Sequence, residues 1–267
     1  MPKIIFPEAN NEYLQQAVAI LNRSGSCEAT AKECDVLSAA QSVKAGEYDA
    51  LVAGIDLSSR DVILGCRDGV GVKQNSASGA SGKTFSSLFV CDLPNPIEAL
   101  STSRYIIADG ATCKNPTVEQ LTDIILLANE AAEKILDEAP RIAMLSFSTM
   151  GSGGKDPSMD RIREAMALAK TKNPNLLIDG EMQLDAAVNK RIGTKKAPES
   201  EVAGRANVLI TPDINSGNIL YKSLEQFAGA KLAGPILLGF DAPVSDLSRG
   251  STVEDIVFTT ECLIKLI

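Results

Sequence analysis

The sequence predicts an α/β fold built on mostly parallel strands. Short apolar runs that end at Pro or Gly alternate along the chain with segments in which apolar residues recur at helical spacing. This alternation is typical of parallel sheets that helices cover on both faces. With 267 residues and 45% hydrophobic content, the chain is long enough for one large or two small domains of this kind.

The first half of the chain contains predicted β–α units and one glycine-rich segment. Strands are predicted at 3–6, 50–53, 86–91 and 105–108, and helices at 10–21, about 33–45 and 116–136. Gly65–Lys83 contains five glycines and four Ser or Asn residues. Such a composition offers little apolar area, so we expect a mobile lid, with a plain surface connection as the alternative.

The second half repeats the scheme. Strands are predicted at 141–146, 176–178, 207–210 and 232–238, and helices at 157–170, 182–192, 218–227 and 252–267. We place the domain boundary just before the long helix at 116–136, which gives domains 1–112 and 113–267. In sheets of this type ligands bind at the carboxyl ends of the strands.

Composition excludes several classes of protein and site. A net charge of −8 and a pI near 4.8 argue against a nucleic-acid or anionic-membrane surface. Apolar runs fall far short of the roughly 20 residues that span a bilayer, so we expect the chain to stay in the cytoplasm. The six scattered cysteines suit neither zinc nor a disulfide framework. The absence of histidine leaves a carboxylate, Lys, Tyr or Cys as the general base.

A short segment near the C-terminus combines an anion site with a base. Ser251 and Glu254 have capping-box spacing and predict a helix start. The preceding residues Ser248 and Arg249 bring a hydroxyl and a guanidinium to that start, where free backbone N–H groups favour a phosphate or an oxyanion. Asp255, in the first turn, is a candidate proton acceptor. The alternative is that Glu254 and Asp255 only complement the helix dipole.

That segment and other blocks resemble one enzyme family. They are similar, in the same order, to phosphate acetyltransferases, which exchange acetyl groups between phosphate and coenzyme A. The similarity extends from about Arg104 to the end of the chain. Gly217–Ala228 is closer to the phosphate butyryltransferase branch, whereas L-S-F-S-T and D-L-S-R-G favour the acetyl branch. The blocks are D-L-S-R-G-S-T-V-E-D-I at 246–256, Arg141–Gly151, Leu177–Ala187, Ala197–Gly204 and Ala206–Lys222.

Polar loops follow two of the predicted strands in the second domain. Ser146–Lys155 is glycine-rich but lacks the Walker A pattern. Its backbone N–H groups and hydroxyls suit a phosphate or pantetheine group, and a plain β–α turn is the alternative. Asn218 is a further candidate, whereas caps and turns explain Asp213 and Gly217. Asp179 and Glu181 are only a weak magnesium signal. The predicted substrate-binding residues of these loops are Ser148, Thr149, Gly151, Ser152 and Asn218.

The resemblance implies an active site in a cleft between two α/β domains, a last helix (252–267) that returns toward the first domain, and a homodimer. The region between the first helix and Leu51 is shorter than in the family, so domain 1–112 is a shortened N-terminal domain. Leu64 occupies the position of a family substrate arginine, with Arg60 and Arg67 about one turn to either side as substitutes. Gly110 occupies the position of a family cysteine, so Cys113 is not assigned a catalytic role.

The resemblance also implies a mechanism, in which the acyl group moves directly within a ternary complex. Asp255 would take the proton from the coenzyme A thiol, and Ser248 and Arg249 would bind the phosphoryl group. Coenzyme A is then a substrate, with acetyl phosphate or phosphate as the second one, and neither a tightly bound cofactor nor a catalytic metal is expected. The alternatives are an enzyme for butyryl or other longer acyl groups, and a non-catalytic protein that binds coenzyme A or acyl phosphates.

Overall fold

A computed structural model describes residues 1–73, 84–95, 97–100 and 102–267. It confirms the predicted α/β class. The helices and strands in chain order are β1 (Lys3–Phe6), α1 (Glu12–Ser24), β2 (Glu28–Ala31), α2 (Val36–Lys44), β3 (Ala50–Ala53), α3 (Ser59–Gly69), β4 (Ser86–Asp92), β5 (Arg104–Ala108), α4 (Val118–Ile135), β6 (Ile142–Leu145), α5 (Pro157–Lys172), β7 (Ile178–Met182), α6 (Leu184–Val188), α7 (Lys190–Lys196), β8 (Val208–Ile210), α8 (Ile214–Ala228), β9 (Lys231–Leu238), β10 (Val244–Asp246) and α9 (Val253–Ile264).

One compact unit comprises residues 1–74 and 232–267. Its strands lie in the order β2-β1-β3-β10-β9, and all neighbouring pairs are parallel except β10 with β9. The chain moves from β1 to β2 in one direction and from β2 to β3 in the other. Right-handed crossovers therefore place α1 and α2 on opposite faces. Because α9 packs on α1 and α3 packs on α2, both faces of this sheet are covered.

The other compact unit comprises residues 75–231. Its strands lie in the order β4-β5-β8-β6-β7, and all neighbouring pairs are parallel except β4 with β5. Every residue of β6 and β8 is buried, as expected for strands covered on both faces. Helix α4 packs on α5, whereas α8 packs against β4 and β5. The carboxyl ends of β5, β8 and β6 therefore lie at one edge.

This division differs from the predicted one at 112/113. The predicted boundary lies just before α4, but β5 pairs with β8 in parallel and with β4 in antiparallel orientation. These ladders join β4 and β5 to the later strands, so the predicted boundary lies inside the second unit. The last helix α9 belongs to the same unit as the N-terminal strands and packs on α1.

The predicted lid at Gly65–Lys83 is wrong in its first part, because α3 continues through Gly69. The glycines at 65 and 69 serve close helix packing instead of flexibility. A Cβ at Gly65 would lie 2.8 Å from Val36 Cγ1, and one at Gly69 would overlap Ala40 Cβ. Val72 then forms an isolated bridge with Phe240. Residues 74–83, including Lys83, lie outside the described residues.

Three further elements differ from the expectations. Strands β2 and β10 were not predicted, and the single helix expected at 182–192 is two helices, α6 and α7, that meet at Asn189. Asn189 ends the first helix in an extended conformation, and its side chain accepts from the Arg191 and Ile192 backbone N–H groups to start the second. The longest helix described, α4, has 18 residues. Among the described residues no helix is long and apolar enough to cross a membrane.

Candidate active site

The start of α9 is one residue later than the sequence pattern indicated. Thr252, not Ser251, is the N-cap, and it forms a capping box with Asp255. The Thr252 hydroxyl accepts from the Asp255 N–H at 3.2 Å, and Asp255 Oδ2 accepts from the Thr252 N–H at 2.9 Å. Both pairs, Ser251 with Glu254 and Thr252 with Asp255, have the required spacing. Asp255 therefore also has a structural role, because its Oδ2 caps the start of α9.

The predicted anion turn directly precedes this helix and is open to solvent. Ser248 and Arg249 are exposed, and Arg249 has no ion-pair partner among the described residues. The Ser248 hydroxyl accepts a long bond of 3.3 Å from the Gly250 N–H. This turn follows the buried strand β10, whose continuation is tied to β3 by a bond from Leu247 N–H to the Ala53 carbonyl at 2.6 Å. The sheet therefore holds the turn at the carboxyl ends of β3 and β10.

A buried carboxyl group lies two residues before the turn. Asp246 is 3% exposed, and its Oδ1 accepts no hydrogen bond from the described residues. Burial raises the pKa of Asp246 to about 6; a hydrogen bond from Ser59 opposes this rise, and the nearby Glu8 carboxylate adds to it. Ser59 begins α3, which carries Arg60. Asp246 therefore connects the anion turn to the start of the helix with the predicted substrate arginines.

We expect Asp246→Asn to stabilise the protein above pH 6. The folded-state pKa of about 6 is above the ordinary value of 3.8, so the wild type loses stability as pH rises through this interval. Linkage converts this difference to about 3 kcal/mol at most. Urea unfolding at pH 4 and pH 8 measures the effect, with the exposed Glu199→Gln as control. An equal gain at both pH values would show that ionisation of Asp246 is not its cause.

The two predicted arginines of α3 are in different environments. Both are exposed, but Arg67 forms a bidentate pair with Asp68 at 2.7 and 3.0 Å. This bond raises the pKa of Arg67 and partly neutralises its charge. Arg60 lies next to Ser59 in the first turn, near the carboxyl ends of the strands. Of the two, Arg60 is the better placed for an anionic ligand of this unit.

In the second unit the loop after β6 is organised around Glu181. The Glu181 carboxylate is 1% exposed and accepts bonds from Ser148 Oγ at 2.9 Å and the Gly151 N–H at 2.8 Å. Arg163 pairs with it at 2.8 Å. Burial opposes ionisation of Glu181, but the bonds from Arg163, Gly151 and Ser148 outweigh it and lower its pKa to about 2. The Arg163 pair explains this carboxylate without a magnesium ion.

The predicted donors of this loop are therefore largely engaged within the protein. Ser148 Oγ and the Gly151 N–H both donate to Glu181. Their assignment to substrate binding stays a prediction. The Thr149 N–H donates to Ser152 Oγ at 2.9 Å, and Thr149 Oγ1 accepts from the Gln183 N–H at 3.0 Å. Thr149 is buried, whereas Ser152 is exposed. These bonds fix the loop conformation, and the exposed backbone around Ser152 stays accessible to a ligand.

Asn218 lies in the first turns of α8 and contacts the turn that follows β5. Its Nδ2 donates to the Gly110 carbonyl at 3.3 Å and to Tyr221 Oη at 3.1 Å. Tyr221 in turn stacks on Phe89, with ring centroids 3.8 Å apart. Cys113 lies in the same turn, and burial, with the Asp109 charge adding to it, raises the pKa of its thiol to about 11. A protonated thiol agrees with leaving Cys113 out of the catalytic set.

Comparison with known proteins identifies the family. The sequence profile described as phosphate acetyl/butaryl transferase matches residues 6–263. This chain belongs to that family. Two curated relatives of this family member are phosphate acetyltransferases: that of Treponema pallidum (strain Nichols) is 40% identical over 230 residues, and that of Clostridium acetobutylicum is 42% identical over 219 residues. The alignments cover 86% and 82% of this chain but 66% and 63% of those proteins, so the chain spans slightly less than two thirds of their length.

Solved structures support the same membership. A phosphotransacetylase from Streptococcus pyogenes superposes on this family member with a TM-score of 0.84 at 31% identity, covering 99% of this chain and 93% of that one. A branched-chain phosphotransacylase from Enterococcus faecalis V583 has a TM-score of 0.79 at 20% identity, covering 100% and 99% of the two chains. The second similarity shows the fold alone.

Sequence reasoning missed three groups that shape the sites of this family member. In the sequence, Asp246 is recognisable as part of a motif, and its place near an apolar strand is the signal that could have indicated a buried carboxyl group. The sequence pattern around Glu181 indicates only a weak metal ligand. Arg163, its partner 18 residues earlier in the chain, gave no sequence signal, because only the fold brings α5 and β7 together.

Proposed function

We propose that this chain transfers a short acyl group between coenzyme A and phosphate, and that acetyl is the group it transfers best. The observation that carries the proposal is the exposed Ser248–Arg249 turn, which β10 and the capped start of α9 hold in place. The guanidinium, the hydroxyl and the N-terminal dipole of α9 together suit a phosphoryl group. The family membership supplies the substrate class.

Asp255 supplies the proton acceptor in this scheme. Its Oδ2 accepts two bonds from Thr252, but Oδ1 accepts none from the described residues. Oδ1 takes the proton of the coenzyme A thiol, and the thiolate attacks the carbonyl carbon of acetyl phosphate. The tetrahedral intermediate collapses with cleavage of the carbon–oxygen bond to phosphate. Arg249 and Ser248 stabilise the charge on the departing phosphate.

Coenzyme A is a substrate in this scheme, and the reaction needs no tightly bound cofactor. We propose that the chain acts on these substrates in the cytoplasm. We also propose that the chain acts as a homodimer, as the family resemblance implies. Light scattering of the purified protein measures this directly, and a monomer mass at micromolar concentration would contradict it.

A longer acyl group is the second candidate, because Gly217–Ala228 is more similar to the butyryl branch. A non-catalytic binding protein is the third, because Leu64 occupies the position of a family substrate arginine. Each predicts a different outcome for the same set of substrates.

Thioester absorbance with coenzyme A and a series of acyl phosphates tests these candidates. We expect kcat/KM to decrease from acetyl to propionyl to butyryl phosphate. A maximum at butyryl or isobutyryl phosphate would favour the longer-acyl enzyme. Binding of coenzyme A without turnover of any acyl phosphate would contradict the proposal and favour a binding protein.

A further inference from the structure

The carboxyl ends of β3 and β10 form a topological switch point in the unit of residues 1–74 and 232–267. The two strands are parallel neighbours, with Asp246 of β10 in register with Ala53 of β3. Helix α3, which follows β3, packs on α2, whereas α9, which follows β10, packs on α1. Because α1 and α2 cover opposite faces of the sheet, the two connections leave in opposite directions. The crevice at such a point is the usual place for a ligand in an α/β sheet.

Positive groups lie on both sides of this crevice. The Ser248–Arg249 turn follows β10, and Arg60 lies in the first turn of α3. Both arginines are exposed, and neither has an ion-pair partner among the described residues. The positive ends of the α3 and α9 dipoles lie at the same edge of the sheet. The crevice therefore suits a dianion such as a phosphoryl group.

A buried carboxyl group lies at the base of this positive crevice. Asp246 precedes Ser248 by two residues, is 3% exposed, and has an Oδ1 without a hydrogen-bond donor among the described residues. Gly54 makes room for it: its φ is +109°, and a Cβ at this position would overlap Asp246 Oδ1. A buried oxygen without a donor costs stability. A carboxyl group kept at this cost beside an anion site, and unused by the reaction scheme, is a candidate for a functional role.

The groups around Asp246 determine its charge. Burial raises the pKa of Asp246 to about 6, a hydrogen bond from Ser59 opposes this rise, and the Glu8 carboxylate adds to it. Cys66 of α3 stays a thiol, because burial, with the Asp246 charge adding to it, raises its pKa to about 12. The residues of β3 and β9 that pair with β10 carry no ionisable side chain. The other charged groups at this edge, on α3, the turn and α9, are Arg60, Asp61, Arg249, Glu254 and Asp255.

We propose that binding of a phosphoryl dianion in this crevice and protonation of Asp246 are coupled, so that Asp246 takes up a proton from the solvent when the dianion binds. This coupling rests on the proposed function, which places a phosphoryl group at the Ser248–Arg249 turn. A dianion held there repels the Asp246 carboxylate through a region of low dielectric constant, and the proton removes this repulsion. By reciprocity the protein with a protonated Asp246 binds the dianion more tightly.

Sulfate titrations at pH 5 and pH 8 test the coupling without catalysis, because sulfate remains a dianion over this interval. With a pKa of about 6 in the free protein, Asp246 is mainly protonated at pH 5 and mainly ionised at pH 8. We expect calorimetry to show about tenfold tighter sulfate binding at pH 5, which corresponds to a pKa about one unit higher in the complex. Arg249→Gln should weaken sulfate binding at both pH values, which locates the sulfate at the turn.

Two variants of equal chemistry separate Asp246 from other carboxylates. Asp246→Asn removes its charge and should bind sulfate at both pH values about as tightly as the wild type does at pH 5. Asp35→Asn is the matched control, because it removes a carboxylate from the exposed N-cap of α2 in the same unit and leaves an oxygen that can cap the helix. It should keep the pH dependence of the wild type.

Proton uptake by the wild type provides a measurement that needs no variant. Calorimetry at about pH 6.5 in two buffers of different ionisation enthalpy should show about half a proton taken up per sulfate bound. Sulfate binding without proton uptake would overturn the proposal, as would a pH dependence that persists in Asp246→Asn or an affinity that Arg249→Gln leaves unchanged. Absence of sulfate binding to the wild type at tens of millimolar would also overturn it.

The same measurements distinguish failure of the coupling from failure of the proposed function. Sulfate binding that depends on Arg249 and on the charge of Asp246, in a protein without turnover, would refute only the proposed acyl transfer. Turnover of acetyl phosphate together with sulfate binding that is independent of pH would refute only the coupling.

Discussion

Arg249→Gln is expected to lower kcat/KM for acetyl phosphate and coenzyme A about a hundredfold or more, because one donor to a developing oxyanion is worth about 3–4 kcal/mol in comparable sites. Gln keeps some hydrogen-bonding capacity but removes the charge and the fork geometry that match a phosphoryl group. Since Arg249 is exposed and has no ion-pair partner among the described residues, the thermal midpoint should hardly change. Steady-state kinetics and thermal unfolding measure the two effects.

A matched control separates this local role from the general effect of charge. Arg191→Gln removes the same charge from an exposed position on α7 and should leave kcat/KM within twofold. The phosphate dependence is a further check, because Arg249→Gln should raise the KM for phosphate in the reverse reaction. Activity within threefold of the wild type would remove Arg249 from the mechanism.

Much of the fold could be predicted because a buried parallel strand appears in the sequence as a short apolar run. β1 and β3 lie at the predicted residues, since each is a short apolar run that ends before Pro7 or at Gly54. β2 and β10 were missed for physical reasons. β2 has an exposed Glu28 and only one buried residue, and the three residues of β10 depend on pairing with β3, which is far away in the sequence.

The lid prediction shows why glycine composition can mislead. Gly65 and Gly69 count as flexible when the chain is considered alone, but four-residue spacing places both on one face of α3. There they allow α3 to approach Val36 and Ala40 of α2 closely. A preference of the isolated backbone is thus overruled by packing against an element that the local sequence does not reveal.

The candidate site was predictable only where it is local in the sequence. The turn at Ser248 and Arg249 and the helix after it follow from a few adjacent residues. The bonds of Ser148 and Gly151 to Glu181 do not, because they join residues about 30 positions apart. The capping register is an intermediate case: the pairs Ser251–Glu254 and Thr252–Asp255 both fit the pattern, and only the bonds distinguish them.

The Thr252–Asp255 capping box makes the test of Asp255 more specific. Asp255 is the other residue whose substitution should have a large effect on activity. Asp255→Asn should lower kcat about a hundredfold or more, because a positioned general base contributes about 10²–10⁴. The Asn carbonyl oxygen can still accept from the Thr252 N–H and hydroxyl, as Asp255 Oδ2 does. The capping box is therefore largely kept, and the stability loss should be about 1 kcal/mol or less.

The neighbouring Glu254 provides the control, because it is an exposed carboxylate in the same first turn of α9. If both acidic residues only complement the helix dipole, Glu254→Gln and Asp255→Asn should behave alike and leave kcat nearly unchanged. If Asp255 accepts the thiol proton, only Asp255→Asn should lower kcat, with a smaller effect on KM. Stopped-flow measurement of thioester formation, with denaturant unfolding of each variant, distinguishes these outcomes. A folded Asp255→Asn protein with the kcat of the wild type would leave the thiol proton without an assigned acceptor and restrict Asp255 to the helix cap.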